Sequence, residues 1–279
     1  MKKIVCLLLA LVMVFALCAC GQKAPAKGSG LNTVTPGKLT VATSPDFAPY
    51  EFYALDKDGN PSLAGFDVAL AGYLAEKLGL ELEIIPMDFD GVLLELANKS
   101  VDIGLAGLSP DPKRMDAMDF SEIYYAGGQS FCTCKGKESL FPTLEASNDA
   151  KFSIGAQTGS IQMDLAEENS PDADIVSVTK VTDIIAMLLN DKLDGAYIET
   201  AVAETYAKNY PDLVVLHDVS YDMEGSACGV AKGNEALLAA VNEAIKAGLA
   251  DGTIDKFVAE ANELASGDIY EGLLDDMGK

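Results

Sequence analysis

The chain of 279 residues has no tryptophan, a single histidine and a single arginine, and these shortages exclude whole classes of site. A histidine-ligated metal centre or a Ser-His-Asp triad would have to depend on His217 alone, so we expect no metal site, no cofactor and no catalysis of that kind. Basic residues are also scarce, because 20 Lys and Arg stand against 43 Asp and Glu and give a formal net charge of −23. A surface of that sign repels phosphate backbones, which argues against nucleic-acid binding.

Residues 1–19 have the pattern of a bacterial lipoprotein signal peptide. A basic start precedes a 16-residue apolar run at positions 4–19, shorter than the roughly 20 residues that a membrane span needs. The run ends in Leu17-Cys18-Ala19-Cys20, so we predict cleavage before Cys20 and lipid attachment to its sulfur. The alternative is an ordinary signal peptide that is cleaved at a small residue.

The segment that follows the predicted cleavage site favours a tether. Residues 20–37 are rich in Gly, Ala, Pro, Lys and Ser and lack periodicity, which predicts a flexible connection, with the fold starting near Lys38. No second apolar run of comparable length follows. We therefore expect the protein to lie outside the cytoplasm, attached through lipid alone to the cell membrane, or on the periplasmic side if the host has an outer membrane.

Beyond the tether, strand and helix patterns alternate in two series. The first has a strand at Lys38–Thr43, a hairpin turn at Asp58-Gly59 and a helix at Phe66–Leu78, followed by strand, helix and strand up to residue 106. The second has three strand–helix pairs over residues 152–208, then further strands and two closing helices. This alternation predicts mostly parallel sheets covered by helices, and its restart predicts two lobes with a ligand cleft between them.

Three motifs in the first series resemble one protein family. They are Gly65-Phe66-Asp67 at a helix start, Val101-Asp102 before a strand, and Gly107-x-Ser109-x-x-x-x-Arg114 followed by Asp119-Phe120-Ser121. In this order and spacing they are similar to the polar amino-acid-binding proteins of ABC importers, the family 3 extracellular solute-binding proteins, and the resemblance covers nearly all of residues 38–264. Within the first motif, Asp67 by itself is interpreted as a helix N-cap.

The resemblance implies an α/β fold of the type II periplasmic-binding-protein class, with two Rossmann-like lobes joined by two hinge strands. It implies a first lobe of residues 38–128 and 226–279 and a second lobe of residues 129–225. It also puts Cys132 and Cys134 on the outgoing hinge strand and Cys228 on the returning one, so a disulfide from Cys228 to either of them is expected. The alternative is three buried free thiols.

The expected ligand site has a cation on one side. Arg114 is the only guanidinium in a chain that otherwise uses lysine, and its planar fork can hold a carboxylate with two parallel hydrogen bonds. The resemblance assigns Arg114 to the α-carboxylate of the ligand, and Ser109 and Gly107 to its α-ammonium or nearby polar atoms. It also assigns the backbone of Ser160, at a helix start, to the α-carboxylate.

The remaining expected contacts are acidic, polar and aromatic. The resemblance assigns Glu199 to the α-ammonium group, although the family usually has the shorter Asp there. It assigns Gln157 to the side-chain pocket, and Phe47 and Phe89 to a sandwich around the ligand side chain. Tyr50 and Phe52 are further aromatic candidates in the same stretch.

The function implied is capture of a free α-amino acid outside the membrane and its delivery to an ABC permease by a monomer that closes around the ligand. One alternative is an enzyme on the same scaffold, similar to cyclohexadienyl dehydratase, with Glu199 as general acid. The other alternative is the ligand-binding component of a sensor.

The expected side-chain preference depends on a single position. Members that bind basic amino acids usually carry an Asp where this chain has Ser44, and strand alternation turns Asp46 away from the face of Phe47. A cationic side chain would then lose water without gaining a counter-charge. The sequence therefore predicts a neutral polar or aromatic ligand over a basic or acidic one.

Overall fold

The computed structural model describes residues 30–222, 225–267 and 269–270. The predicted signal peptide and Cys20 lie outside these residues. The described strands are β1 (Lys38–Thr43), β2 (Asp46–Phe47), β3 (Glu51–Leu55), β4 (Pro61–Ala64), β5 (Glu81–Pro86), β6 (Ile103–Gly104), β7 (Met118–Tyr125), β8 (Gln129–Cys134), β9 (Ser153–Gln157), β10 (Asp174–Val178), β11 (Gly195–Glu199), β12 (Leu213–Val219), β13 (Ser226–Ala231) and β14 (Ile269–Tyr270). The described helices are α1 (Phe66–Leu78), α2 (Phe89–Ala97), α3 (Ile161–Asn169), α4 (Val181–Leu189), α5 (Thr200–Asn209), α6 (Glu235–Ala250) and α7 (Thr253–Ala265).

The first lobe is built on a five-stranded sheet with the order β5-β1-β6-β13-β7. Strand β1 runs parallel to β5 and β6, whereas β13 runs antiparallel to β6 and β7. Helix α1 covers this sheet through Phe66, Leu70 and Leu74, which recur at helical spacing and are fully buried. It ends at Gly79, whose left-handed backbone closes the last turn.

The second lobe is built on another five-stranded sheet, with the order β10-β9-β11-β8-β12. Strand β9 runs parallel to β10 and β11, and β8 runs antiparallel to β11 and β12. Because β9 and β11 are parallel, their carboxyl ends lie at the same edge of the sheet. This edge carries Gln157 and Glu199, the last residues of the two strands.

A small third sheet lies beside the first. Strands β2, β4 and β14 each pair antiparallel with β3. The turn between β3 and β4 is closed by Asp56, whose carboxylate accepts from the backbone N–H groups of Asp58 and Asn60. The hairpin predicted around Asp58-Gly59 is therefore confirmed.

The chain passes between the two large sheets twice. It leaves the first sheet at the end of β7 and enters the second at the start of β8, and it returns between β12 and β13. We call residues 126–128 the outgoing crossing, and the described residues 220–222 and 225 the return crossing. No described helix has the length and apolar character needed to cross a membrane.

The three described cysteines are free and buried, which corrects the expected disulfide. Cys132 and Cys134 lie on β8, whose neighbours are β11 and β12 in the second sheet. Cys228 lies on β13, between β6 and β7 in the first sheet. The strands are not adjacent, so the alternative of three buried thiols describes this structure.

The residues just before β1 already pack on the first lobe. The N–H of Val34 donates to Oδ1 of Asp102 at 2.8 Å, and the side chain of Asn234 donates to the carbonyl of Asn32 at 2.7 Å. Asp102 is buried and also accepts from the N–H of Thr40. The ordered chain therefore begins before Lys38.

Candidate functional site

The second lobe contributes the starts of two helices. Ser160 is the N-cap of α3: its Oγ accepts from the N–H of Met163 at 3.2 Å and donates to the carbonyl of Gln157 at 2.7 Å. The backbone N–H of Ser160 also donates to that carbonyl, at 3.2 Å, so in this structure it closes the strand–helix turn. Its donation to a ligand carboxylate stays a prediction.

Glu199 is the N-cap of α5 and is buried. Its Oε2 accepts from the N–H of Val202 at 2.8 Å, and its Oε1 accepts from the hydroxyl of Tyr50 in the first lobe at 3.1 Å. Burial raises the pKa of Glu199 to about 7, although these hydrogen bonds partly counteract it. Near neutral pH the carboxyl is therefore poised to ionise when a cation comes close to it.

Arg114 ends a single helical turn, Pro112–Arg114, and reaches across to the second lobe. Its guanidinium donates to the carbonyl of Ser109 at 3.3 Å and to the carbonyl of Gly159 at 3.1 Å. It lies 5.6 Å from the centre of the Phe89 ring, which is a cation–π distance. Burial lowers the pKa of Arg114, but an arginine starts so high that it stays charged.

Gly107 and Phe47 meet at close range in the first lobe. The backbone of Gly107 has a φ of 57°, and a Cβ there would lie 2.6 Å from Cε1 of Phe47. Both the conformation and the contact favour glycine at this position. The N–H of Gly107 donates to Oδ2 of Asp67 at 3.0 Å, which fixes the loop beneath the ring.

Asp67 therefore differs from its predicted role. The N-cap of α1 is Gly65, and Asp67 makes no cap hydrogen bond. Its carboxylate is fully buried and accepts from the Gly107 N–H and the Tyr124 hydroxyl instead. Burial raises the pKa of Asp67 to about 6.

Two other predicted residues have their polar atoms engaged in or near the cleft. Gln157 is buried, and its side-chain amide donates to the carbonyl of Thr179 at 3.1 Å. The Ser109 hydroxyl lies 3.4 Å from the hydroxyl of Tyr221 in the return crossing. Phe47, in turn, lies 5.3 Å from the ring of Tyr50.

These contacts form one connected set between the lobes. One series of contacts runs from Glu199 through Tyr50 and Phe47 to Gly107. Two residues further along the same loop, Ser109 begins the second series: it contacts Arg114, which in turn contacts Phe89 and the loop before Ser160. The structure thus brings the eight predicted residues to one region, with a carboxylate at one end and a guanidinium at the other. No described group of three His, Cys, Asp or Glu side chains is arranged to hold a metal ion.

Sequence reasoning missed the contact that Asp46 makes. Its Oδ2 accepts from the N–H of Val181, the first residue of α4, at 2.6 Å, and its Oδ1 accepts from the Ser44 hydroxyl at 2.8 Å. Burial raises the pKa of Asp46 to about 6. No sequence pattern marks this contact, because Asp46 and Val181 are 135 residues apart.

Two α/β lobes with a charged site between them define a ligand-binding protein of the two-lobe type. The chain matches the bacterial extracellular solute-binding proteins, family 3, over residues 39–261, and it belongs to that family.

Known relatives match this chain over most of its length. The chain is 34% identical over 261 residues to the arginine-binding extracellular protein ArtP of Bacillus subtilis, covering 92% of this chain and 96% of the relative. The amino acid ABC transporter substrate-binding protein AbpA of Streptococcus pneumoniae, solved with L-arginine, superposes with a TM-score of 0.79 at 30% identity, covering 83% and 97% of the two chains. An ancestral arginine-binding protein, solved with glutamine, gives a TM-score of 0.71 at 30% identity, covering 81% and 98%. The two-lobe periplasmic-binding-protein fold is therefore confirmed.

One relative is an enzyme. Cyclohexadienyl dehydratase of Pseudomonas aeruginosa is 28% identical over 181 residues, covering 65% of this chain and 66% of that protein. The relatives with higher identity and coverage described above are binding proteins for amino acids.

Proposed function

We propose that this protein captures a free L-α-amino acid between its lobes and delivers it to an ABC importer permease. The observation that carries the proposal is the connected set of contacts with Arg114 at one end and Glu199 at the other. A guanidinium suits the α-carboxylate, and a buried carboxylate suits the α-ammonium. The site is thus complementary to the two charges that every free amino acid carries.

Capture proceeds by closure of the lobes. Arg114 contacts Gly159, Tyr50 contacts Glu199 and Asp46 contacts Val181, and each of these contacts joins the first lobe to the second. We assign residues 38–128 and 226–279 to the moving first lobe and residues 129–225 to the second, with the two crossings as hinges. Ligand binding favours the closed arrangement because only that arrangement offers both charged groups at once.

We propose arginine as the ligand and keep a neutral side chain as the alternative. The preference for a neutral ligand depended on Ser44, but the fold adds Asp46, Glu51 and Asp67 as buried acids beside the site. Burial raises the pKa of each of these carboxyls. A cationic side chain would stabilise the ionised form of carboxyls beside it, which a neutral side chain would not. Three of the relatives described above are named for, or were solved with, arginine.

Calorimetric titration of the protein, after removal of any co-purified ligand, tests this choice with arginine, lysine, glutamine, cystine and tyrosine. We expect arginine to bind most tightly. Tight binding of glutamine or tyrosine, with no heat from arginine, would support the neutral ligand that Ser44 predicts. Absence of binding by every common amino acid would contradict the proposed function itself.

The enzyme alternative is supported by the dehydratase relative and by the burial of Glu199, which raises the pKa of its carboxyl to about 7. A carboxyl of that pKa is suited to proton transfer near neutral pH. Incubation with prephenate or arogenate, followed by the absorbance of an aromatic product, separates the two functions. We expect no turnover, and turnover that disappears in Glu199→Gln would establish the enzyme.

We further propose that Cys20 carries the lipid that holds the protein at the membrane surface. Cys20→Ala removes the sulfur to which the lipid would be attached. Cells labelled with radioactive palmitate should then incorporate label into the wild-type protein but not into the variant. Equal label in both would contradict the anchor.

A further inference from the structure

The hydroxyl of Tyr50 lies where both lobes and both crossings meet. It donates to Oε1 of Glu199 at 3.1 Å and accepts from Oγ of Ser226, the first residue after the return crossing, at 3.2 Å. A Cβ on Gly127 in the outgoing crossing would lie 3.0 Å from both the Tyr50 hydroxyl and Oε1 of Glu199. A single oxygen atom therefore contacts the carboxylate proposed to bind the ligand and the residue that ends the return crossing's connection to β13, and it lies close to Gly127 in the outgoing crossing.

We propose that Tyr50 is a positioning residue for the α-ammonium group of the ligand, and that it acts by holding the carboxylate of Glu199. This inference rests on the proposed function. Because the Ser226 hydroxyl donates to the Tyr50 oxygen, the phenolic proton of Tyr50 is directed to Glu199. The hydrogen bonds thus run from Ser226 to Tyr50 and from Tyr50 to Glu199. The N–H of Val202 holds the other carboxylate oxygen at 2.8 Å. Each oxygen keeps lone-pair capacity for the ammonium.

The length of Glu199 explains why such a restraint is needed. A glutamate has one more rotatable bond than an aspartate, so it has more orientations to lose when it binds a cation. Bonds from Tyr50 and Val202 to separate oxygens fix the carboxylate before the ligand arrives. The ordering cost is thereby moved from binding to folding.

The ring of Tyr50 is held independently of its hydroxyl. It is fully buried, and its centre lies 4.3 Å from that of Phe66, 5.3 Å from that of Phe47 and 5.5 Å from that of Tyr125. Tyr50→Phe should therefore leave the packing in place and remove a single oxygen.

The local charges agree with this role. The hydrogen bond from Tyr50 lowers the pKa of Glu199 against the larger effect of burial, which raises it. The other titratable groups that act on Tyr50 are Tyr125 on β7 and Asp67 on α1, which are neutral or acidic. They cannot replace the hydroxyl in stabilising the ionised form of Glu199, so loss of the hydroxyl should shift the acid limit of binding to higher pH.

The test is a double-mutant cycle measured by calorimetry with L-arginine and L-glutamine. It compares the wild type, Tyr50→Phe, Glu199→Gln and the double variant. Tyr73→Phe is the matched control, because its hydroxyl donates to the carbonyl of Ala244 in the outer helical layer, at 3.2 Å. The analogue 5-guanidinopentanoate, which is arginine without its α-amino group, reports on the ammonium contact alone.

For the ligand that the wild type binds, we expect Tyr50→Phe to weaken affinity about tenfold, or about 1.4 kcal/mol. The same change should have no effect in the Glu199→Gln background or on 5-guanidinopentanoate, and Tyr73→Phe should bind as the wild type does. If the wild type binds no common amino acid, the proposed function fails. If the wild type binds and Tyr50→Phe loses nothing, or loses as much without Glu199 as with it, only this inference is overturned.

Discussion

The two lobes build their halves of the site by different means. In the second lobe, Ser160 follows a parallel strand and Glu199 ends another, and each caps the helix that comes next. In the first lobe, Ser109 and Arg114 lie in irregular chain whose shape depends on Gly107 and its bond to Asp67. The second lobe thus fixes its site residues through regular structure, whereas the first holds them through individual side-chain contacts. Substitutions in the first lobe should therefore have the larger effects.

Replacing Arg114 tests the strongest of these first-lobe contacts. Arg114→Ala leaves a ligand carboxylate without its partner, and we expect binding to weaken by about 2–5 kcal/mol, as for the loss of one member of a buried charge pair. Arg114→Lys should recover part of this, because it keeps the charge without the planar fork. Calorimetry measures both. Affinity near that of the wild type in Arg114→Ala would remove this residue from the site.

Gly107→Ala tests whether the first-lobe loop depends on close approach. The added Cβ meets the Phe47 ring on backbone that disfavours side chains, so we expect a loss of about 1–3 kcal/mol in the free energy of unfolding. Urea unfolding measures it, and affinity should fall with it because Phe47 is displaced. Gly59→Ala is the control, since Gly59 also has a positive φ but nothing lies within 4 Å of its Cβ. A loss at Gly107 no larger than that at Gly59 would show that the contact with Phe47 has no role.

Ser160→Ala tests the second lobe. Loss of the cap should lower the free energy of unfolding by about 1 kcal/mol, while Ser160→Gly should cost only a few tenths. Because the carbonyl and N–H groups of the turn are kept, we expect affinity to fall less than in Arg114→Ala. A larger loss of affinity in Ser160→Ala would reverse the comparison between the lobes.

Proton release on ligand binding tests the Glu199 end of the candidate site. Without ligand, burial holds the pKa of Glu199 at about 7, above the ordinary 4.5, and an ammonium beside it will lower that pKa. Binding near pH 6.5 should therefore release a fraction of a proton, and the release should vanish above about pH 9 and in Glu199→Gln. Titration in buffers of different ionisation enthalpy measures it. Unchanged release in Glu199→Gln would show that the protons come from another group.

The same shifts predict how the ligand-free protein responds to pH. Asp46, Asp67 and Glu199 have raised pKa values in the folded state, so the folded chain holds more protons than the unfolded chain between about pH 4 and 7. The free energy of unfolding should fall as pH rises through that range and then level off. Thermal unfolding at a series of pH values checks it, with the double variant Asp46→Asn and Glu199→Gln as the control that flattens the curve.

We expect the smallest effect on affinity from an exposed ion pair between the two lobes. Lys113 in the first lobe lies 3.0 Å from Asp164 on α3 in the second, and both side chains are exposed. Lys113→Ala should change affinity about twofold at most in 0.15 M salt, because exposed pairs contribute little. The change should shrink further at 1 M salt. A loss comparable to that of Arg114→Ala would mean that the pair, and not the site, holds the lobes together.

The difference between the lobes also explains what the sequence could predict. Helix Phe66–Leu78 has its predicted bounds, since helical periodicity and the stop at Gly79 mark it in the sequence. Strand Met118–Tyr125 was not predicted as a strand, because charged and apolar residues mix along its two faces. Strand-end residues such as Glu199 follow from the alternation of strands and helices.

Contacts between distant residues could not be predicted in this way. The pairing of Asp46 with Val181 and that of Tyr50 with Glu199 join residues more than a hundred positions apart. Asp67 has the local signature of a cap, but its buried carboxylate serves the Gly107 loop, which only the folded chain brings near. The disulfide was wrong for the same reason, since the two cysteine-bearing strands belong to different sheets.

The packing of Asn32 and Val34 on the first lobe would limit the distance between this lobe and the lipid proposed at Cys20. A fully extended chain spans at most about 3.3–3.6 Å per residue, so a tether from Cys20 to Lys38 would extend about 60 Å. Because Asn32 is bonded to the first lobe, the 12 residue steps from Cys20 to Asn32 limit this distance to about 40 Å. That is comparable to the diameter of a small domain, about 30 Å, so a lipid at Cys20 would keep the protein close to the bilayer. Each closed molecule would then search for its permease in two dimensions, at a high local concentration.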